Sequence, residues 1–382
     1  MRNNLLPEYK NIEEFLKKDN YSTYKKYKST NQKELIKTII DSGLTGRGGA
    51  NFPTGIKIQN VFNQTGEKYI ICNADEGEPG NFKDKFIMEN YPYLIIEGLL
   101  LLSYILNTKN VYIYIREEYS ASKEKIIEAI NKSKSTINFE IKIYKGAGSY
   151  LCGEESALIS SIEGKKGKTK KKPPFPTEKG LYNSPTLLLN VETIASIPFV
   201  LNNKTINTRL ISLSGNTNIK GVFEVTLDTT INYIIKNIGK TPKDIKMIQL
   251  GGPSGPIIPY NLSSLKINEL QDKNLDFGAG AIIAISKDNN LLKIIKNNIR
   301  FFKHESCGKC TPCREGLSEI VLILNKFINN NATKKDLINL ELLSNTIKDT
   351  SFCGLGKFSV SSILSSLKYF KEEFVINEVS ND

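Results

Sequence analysis

The sharpest chemical signal in the chain is a run of cysteines. Glu305-Ser-Cys307-Gly-Lys-Cys310-Thr-Pro-Cys313-Arg-Glu-Gly316 sets three thiols at C-x2-C-x2-C, so one tight loop can wrap three corners of a cuboidal iron–sulfur cluster. The fourth ligand has to come from elsewhere, and Cys353 in Ser351-Phe-Cys-Gly-Leu-Gly356 is the plausible donor. Helix N-termini and loop amides beside such thiolates favour the net negative charge of a cluster. A structural zinc site competes, but it usually pairs C-x2-C with C-x2-C, whereas the split here is three plus one. Free thiols are the remaining alternative. Cys72 and Cys152 lie alone in apolar or mixed stretches. The whole pattern reads as reduced cytosolic thiols with one metal site, not a secreted disulfide framework. His304, the only histidine, reads as an ordinary first-turn residue, and with it alone the sequence offers no serine–histidine or cysteine–histidine arrangement, which argues against a hydrolytic triad.

Three turns look able to hold a phosphorylated ligand. Gly43 to Gly55 is glycine-rich, and Gly146-Ala-Gly148 is a second such turn. Neither is a G-x-G-x-x-G, and each alone is an ordinary tight turn; together on a parallel sheet they let backbone amides approach a phosphate, with Arg47 and Lys57 adding charge. Asn73-Ala-Asp75-Glu76-Gly-Glu78-Pro79-Gly80 crowds three carboxylates into one strand end, where they repel unless each has a partner. Glu154 and Glu155 open a helix, where acids are also ordinary first-turn residues. Carboxylates in such turns hydrogen-bond ribose hydroxyls of NAD and disfavour the added phosphate of NADP.

These residues need elements to position them. Apolar spacing predicts helices over 11–18 and 32–40, a strand over 68–74, a helical stretch over 83–106 broken near Pro92, a strand over 110–116, a helix over 120–132, a strand over 137–144 and a helix over 153–162. That alternation implies a parallel sheet with right-handed crossovers, whose ligands bind past the carboxyl ends of the strands. Residues 163–185 form a basic, proline-bearing loop, and 186–200 read as helical and apolar. Short strands at 210–214, 221–225, 247–250 and 281–285 around a helix at 230–238 predict a small β-grasp module. Helices over 288–302, 317–330, 334–349 and 360–374 predict a C-terminal four-helix bundle. The segments divide as 1–60 (N-terminal helices and glycine-rich loop), 61–205 (Rossmann-like domain), 206–286 (β-grasp-like module) and 287–382 (helical bundle).

Composition agrees with a folded protein. The 382 residues are 40% apolar and 24% charged, which excludes collagen-like, coiled-coil and wholly disordered classes. No apolar run approaches the ~20 residues of a membrane span, and residues 1–20 lack a signal-peptide core, so the expected location is cytoplasmic. The net charge of +12 includes six lysines between Lys165 and Lys172, which read as a solvated loop; nucleic-acid binding is carried by patches, not totals.

As a set the motifs resemble one family. Gly46-Arg-Gly-Gly-Ala-Asn-Phe-Pro-Thr-Gly55, Asn73-Ala-Asp-Glu-Gly-Glu-Pro-Gly80, Gly146-Ala-Gly-Ser-Tyr-Leu-Cys-Gly-Glu-Glu155, Lys172-Pro-Pro-Phe-Pro176, Asn190-Val-Glu-Thr193 and Glu305 to Gly316 follow the order seen in the NADH- and FMN-binding flavoprotein subunit of bacterial respiratory complex I. The similar subunits of NAD-linked hydrogenases and formate dehydrogenases share them. The resemblance implies an α/β fold with a Rossmann-like FMN/NADH domain, a ubiquitin-like β-grasp module and a helical bundle carrying a [4Fe-4S] cluster. It implies FMN on Gly46, Arg47, Gly48, Gly49, Lys57, Asn73, Asp75, Tyr150, Gly153, Glu154 and Asn190. It implies the adenine side of NADH near Phe52 and Phe175, with Glu76, Glu78, Glu155 and Lys172 contacting the nucleotide. Cys307, Cys310, Cys313 and Cys353 would ligate the cluster. The implied activity is hydride transfer from NADH to FMN, then single electrons to the cluster, with no protein general acid. The implied partners are a thioredoxin-like [2Fe-2S] subunit and a larger iron–sulfur subunit, giving a cytoplasmic protein peripheral to the membrane through those subunits. Where the family has an aromatic eight residues after Phe52 this chain has Asn60, and the family's paired asparagine is Leu189-Asn190 here.

Overall fold

The structure is a computed structural model that describes residues 5–8, 11–146, 148–203, 205–241, 244–275 and 277–376. Ala147 of the second glycine-rich turn and the bundle's expected extension to 382 lie outside the described residues. The chain opens with α1 (Ile12–Lys18), α2 (Ser22–Tyr27), α3 (Gln32–Asp41) and α4 (Thr54–Phe62). It then alternates through β1 (Tyr69–Ala74), α5 (Lys83–Asn90), α6 (Pro92–Leu106), β2 (Val111–Ile115), α7 (Ser120–Lys132), β3 (Ile141–Lys145), α8 (Glu155–Ile162), β4 (Thr186–Asn190) and α9 (Val191–Asn203). The break anticipated near Pro92 is there: α5 ends at Asn90 and α6 begins on the proline, where the missing N–H is harmless.

The first sheet is fully parallel, in the order β3-β2-β1-β4. The chain steps outward from β1 to β3 and then returns to the other side of β1. Strand order therefore reverses between β1 and β4, and a ligand crevice opens at the carboxyl ends there. The register places Asn73 opposite Asn190 at that point. The reading of 186–200 as one helix is corrected: its first five residues are β4. Leu187, Leu188 and Leu189 are at most 6% exposed on both faces of the strand, and a strand buried on both faces has no alternation to separate it from a buried helix.

The helix α6 is apolar nearly all round because it runs through the centre of the domain. Gly98 lets it touch α9, since a Cβ there would sit 2.2 Å from the carbonyl oxygen of Ile194. Its one acid, Glu97, is 2% exposed and accepts from Tyr24 N at 3.0 Å. It thereby caps α2, whose own N-cap residue Tyr21 offers no side-chain acceptor.

The second sheet holds β5 (Thr208–Gly215), β6 (Gly221–Thr226), β7 (Ile245–Leu250), β8 (Ile257–Pro259) and β9 (Ala281–Ser286), in the order β6-β5-β9-β7-β8. β5 and β9 are parallel and the other pairs antiparallel. The short helix α10 (Ile231–Tyr233), continuing as a π-turn to Ile238, packs Ile231, Ile234 and Ile235 into this sheet's own core. The sequence reading lacked β8.

The C-terminal part comprises α11 (Leu291–Glu305), α12 (Thr311–Ile328), α13 (Lys334–Thr350), α14 (Gly354–Phe358) and α15 (Ser361–Tyr369). The helix predicted from Leu317 starts six residues earlier, on Thr311-Pro312, so Cys313 lies in its first turn instead of ahead of it. His304 sits in the last turn of α11, not a first turn, and α14 is an additional helix between Cys353 and α15.

Candidate functional site

A cavity of about 820 Å³ opens at the carboxyl ends of β1 and β4. Every nucleotide-site residue proposed from the sequence lines it except Arg47, which is 5% exposed and donates its backbone N–H to Thr193 Oγ1 at 2.8 Å. The first wall is the turn 44–54, closed by Gly46 N to Phe52 O at 2.8 Å and Thr54 N to Leu44 O at 2.8 Å. Gly49 takes φ +111° and Asn51 φ +50°, a region open to Gly and tolerated by Asn. Gly48 lies on Asn190, where a Cβ would come 3.2 Å from the asparagine's own.

The two strand-end asparagines are held by different means. Asn73 Nδ2 donates to Gly153 O at 2.8 Å, and its Oδ1 accepts from Asp75 N at 3.1 Å. Asn190 Oδ1 accepts from Glu192 N at 3.0 Å and from Lys83 Nζ at 3.4 Å, while its Nδ2 donates to Asp84. Lys83 is fully buried, with Asp84 at 2.6 Å and Glu192 at 3.1 Å. Burial alone would lower its pKa, but those carboxylates and Glu76 outweigh it and hold the ammonium above its ordinary range. The sequence reading missed Lys83 because a lysine beside an acidic residue at a helix start looks solvated.

The acidic turn has the separate partners its crowding requires. Glu76 accepts from Asp84 N and Lys85 N at 3.1 and 3.2 Å, capping α5. Glu78 accepts from Tyr150 OH at 2.5 Å and Ser254 N at 2.8 Å, tying the turn to the second sheet. Asp75 is different: it is 7% exposed, both carboxylate oxygens lack a hydrogen-bond partner, and Arg116 stands 3.9 Å away. Burial raises its pKa to about 7 against the opposing pull of Arg116. Such an unsatisfied buried acid on a cavity wall awaits a donor. Across the cavity Glu155 meets Lys57 at 3.0 Å and Lys172 at 2.5 Å. Burial would raise this carboxyl, but the two lysines outweigh it and hold it down to about 2. Phe52 and Phe175, 49% and 50% exposed, stand on the same cavity wall.

The cysteines gather beside this cavity. Cys310 is the N-cap of α12, Cys313 lies in its first turn, and Cys353 is the N-cap of α14. Gly356 of α14 lies against Ser351, where a Cβ would come 2.5 Å from the serine's own, and beside Cys313 of α12. Burial raises the Cys313 thiol to about 11, and Cys310, Cys353 and Cys307 each add to the rise, which puts all four sulfurs in one electrostatic neighbourhood. Gly354, Leu355 and Phe358, directly after Cys353, line the nucleotide cavity. Glu305 reaches the same wall from the other side, accepting from Tyr150 N at 2.9 Å.

The residues present fit a flavin and a thiolate-ligated cluster. Asp75 is an orphaned buried acceptor, Gly48 packs tightly on Asn190, and four neighbouring thiols carry no disulfide. Comparison with known proteins agrees. The Nuo51 FMN-binding domain matches residues 39–199, and the NADH-ubiquinone oxidoreductase-F iron-sulfur binding region matches residues 293–377. The chain is 36% identical to the F-type NADH-quinone oxidoreductase subunit of Aquifex aeolicus (strain VF5), over 96% of this chain and 91% of that one. It is 33% identical to the NADP-reducing hydrogenase subunit HndC of Solidesulfovibrio fructosivorans, over 95% of this chain and 80% of that one. A solved NAD+-reducing [NiFe]-hydrogenase in the H2-reduced state superposes with a TM-score of 0.87 at 27% identity, covering 97% of this chain and 67% of that one. With the parallel-sheet cavity and the cysteine site joined through α14, these matches establish that the chain belongs to the family of F-type NADH-quinone oxidoreductase subunits, NADH dehydrogenases with FMN and [4Fe-4S] sites.

Proposed function

We propose that this chain is the NADH-oxidising flavoprotein subunit of a respiratory NADH:quinone oxidoreductase. Bound FMN would accept a hydride from NADH and release electrons singly to a [4Fe-4S] cluster on Cys307, Cys310, Cys313 and Cys353. The observation that carries this reading is the shared wall: the residues after Cys353 line the cavity that Gly48, Asn73, Asp75 and Asn190 also line.

The chain's own part is binding and orientation. Gly46, Gly48 and Gly49 let the backbone approach the cofactor phosphate, with Arg47 and Lys57 behind them. Asn73, Asn190, Tyr150, Gly153 and Glu154 would hold the flavin, and Asp75, whose oxygens have no hydrogen-bond partner, would accept a hydrogen bond from it. Phe52 and Phe175 clamp the adenine side of NADH, and Glu76, Glu78, Glu155 and Lys172 contact its polar groups. Holding two reactants in attack geometry is worth ~7–11 kcal/mol, and no side-chain acid is needed.

The order β6-β5-β9-β7-β8, with the first and last strands of the module parallel and central, supports the β-grasp assignment for 206–286. The helices α11, α12, α13 and α15 support the bundle from 287 on, and the boundary at 205 falls between α9 and β5, whereas the one at 60 falls inside α4, whose Ile58 and Val61 share a core with the first sheet. No helix among the described residues is long and apolar enough to cross a membrane. By likeness to its relatives, which are subunits of larger complexes, the chain would pass electrons to a thioredoxin-like [2Fe-2S] subunit and a larger iron–sulfur subunit, with any membrane contact made through them. The likeness to hydrogenase subunits favours a second reading, the flavin subunit of an NAD-linked hydrogenase.

The test is an anaerobic absorbance titration of the FMN-loaded, iron-reconstituted chain with NADH and then NADPH. Flavin bleaching with NADH and little with NADPH is expected. A colourless protein holding one zinc would overturn the reading, and whether the isolated complex passes NADH electrons to quinone or to protons, giving hydrogen, separates the two variants of it.

A further inference from the structure

The lysine-rich segment between α8 and β4 is not used by the flavin and cluster sites. Residues 163–179 carry seven lysines against two glutamates. The sequence alone reads them as a solvated loop, but the backbone is pinned. Thr169 is 2% exposed, and its carbonyl accepts from Lys309 Nζ, in the cluster-binding loop, at 2.9 Å. Lys170 N donates to Ser156 Oγ at 2.9 Å, and Gly167 packs on Cys152, with a Cβ position 3.1 Å from its sulfur. The segment is thus a strap held at fixed height over the start of α8.

Its charges divide into two sets. Lys165 is paired with Glu163 at 2.7 Å, and Lys172 with Glu154 and Glu155 at 3.1 and 2.5 Å. Lys166, Lys168, Lys170 and Lys171 are exposed, and none has an ion pair among the described residues. The strap runs straight into the nucleotide cavity, where Lys172 and Phe175 form part of the wall. Successive Cα atoms are ~3.8 Å apart and the Debye length at physiological salt is about 8 Å, so Lys170 and Lys171 act on the same volume as Lys172.

We propose that this strap is a landing surface for the pyrophosphate of the incoming dinucleotide. Lys166, Lys168, Lys170 and Lys171 concentrate the anion at the cavity mouth and pass it to Lys172. The inference rests on the NADH reading above. Continuity with the cavity wall favours a nucleotide over an acidic protein or an anionic membrane, for which the strap would have no reason to end inside the cavity. Field focusing of this kind raises association rates by ~10–1000-fold and fades with ionic strength.

The experiment compares the FMN-loaded full chain with its K166Q/K168Q/K170Q/K171Q variant. All four side chains are exposed, and equal melting temperatures confirm equal folding. Two quantities are followed from low to high salt: the second-order rate of flavin bleaching on mixing with NADH, and the dissociation constant of ADP-ribose, which has the pyrophosphate but cannot react. The variant is expected to lose about tenfold in both at low salt and to converge on the parent at high salt, while the matching arginine variant keeps the parent's behaviour. Parallel salt curves for parent and glutamine variant overturn the proposal. So does a variant that binds ADP-ribose normally but no longer binds its partner subunits or anionic phosphatidylglycerol vesicles. If NADH bleaches neither chain, the NADH reading fails, and the ADP-ribose arm still decides the strap.

Discussion

Replacing Lys83 by Met should be among the most damaging single changes in the flavin domain. The ammonium is fully buried between Asp84 at 2.6 Å and Glu192 at 3.1 Å. Methionine fills the space of the stem and leaves Asp84 facing both Glu192 and Glu76, with buried Arg47 still acting on Glu192. Removing one partner of a buried pair costs ~3–5 kcal/mol, because the other charge stays behind without compensation. At roughly 2–4 °C per kcal/mol for a domain of this size, the melting temperature should fall by about 10 °C. Burial already raises the Asp84 carboxyl, with Glu192 adding to it and Lys83 opposing; without Lys83 it should rise further, so the deficit should shrink as pH falls and Asp84 takes up a proton. FMN affinity should fall as well, since Asn190 loses the lysine that donates to its Oδ1. Thermal melts of the FMN-free and FMN-loaded chain across pH measure all three effects. A triple variant that adds Asp84→Asn and Glu192→Gln should recover more than half of the loss. A single variant melting within about 2 °C of the parent, or a triple no better than the single, would refute the reasoning, since ~3–5 kcal/mol cannot vanish into a region this closely packed.

Gly98→Ala should destabilise the chain by ~1–3 kcal/mol, because the new methyl meets the Ile194 backbone of α9 and the helices must part. Alanine's helix propensity returns only ~1 kcal/mol; urea unfolding that shows equal or higher stability would count against the close contact. For Asp75 the relevant variable is pH. Its carboxyl moves from 3.8 in the unfolded chain to about 7 on folding, so its contribution is fully present below the lower value and is lost as pH rises through the upper one. Asp75→Asn should therefore flatten the stability profile of the FMN-free chain across that window and leave the variant the more stable of the two at alkaline pH. Denaturant titrations giving the same slope for both chains would contradict the buried, unpartnered acid.

Much of the site was legible because the relevant signals are local. Gly46–Gly49, Asn73–Glu78, Glu154–Glu155 and the cysteine spacing each announce a tight turn or a ligand set within a few residues, and the alternation of strand and helix puts them at one end of a sheet. What escaped depends on partners far away in sequence. Leu187–Leu189 is strand because β1 covers its edge, and nothing in three leucines says so. That Glu76 and Glu78 also bond Asp84 N and Ser254 N, bracing the turn they stand on, is equally invisible in the sequence. The burial of Lys83 and the pinning of Thr169 by Lys309 are equally tertiary. The start of α12 is local: Thr311-Pro312 carries an N-terminal helix signal, but the apolar spacing that marks the helix begins only at Leu317.

The cavity has no single owner among the hydrophobic cores. Its walls come from the glycine turn and strand ends of the first sheet, from Gly251, Ser254, Gly278 and Ala279 beside the second sheet, and from Gly354, Leu355 and Phe358 of the helical part. A flavin therefore finds its complete berth only after all three parts have docked, and a ligand present at 100 times its dissociation constant then adds ~2.7 kcal/mol to the docked state. Cofactor loading becomes an inspection stamp on the finished chain. A lesion in any one core, however remote from the isoalloxazine, should emerge from the cell as pale protein before it emerges as unfolded protein.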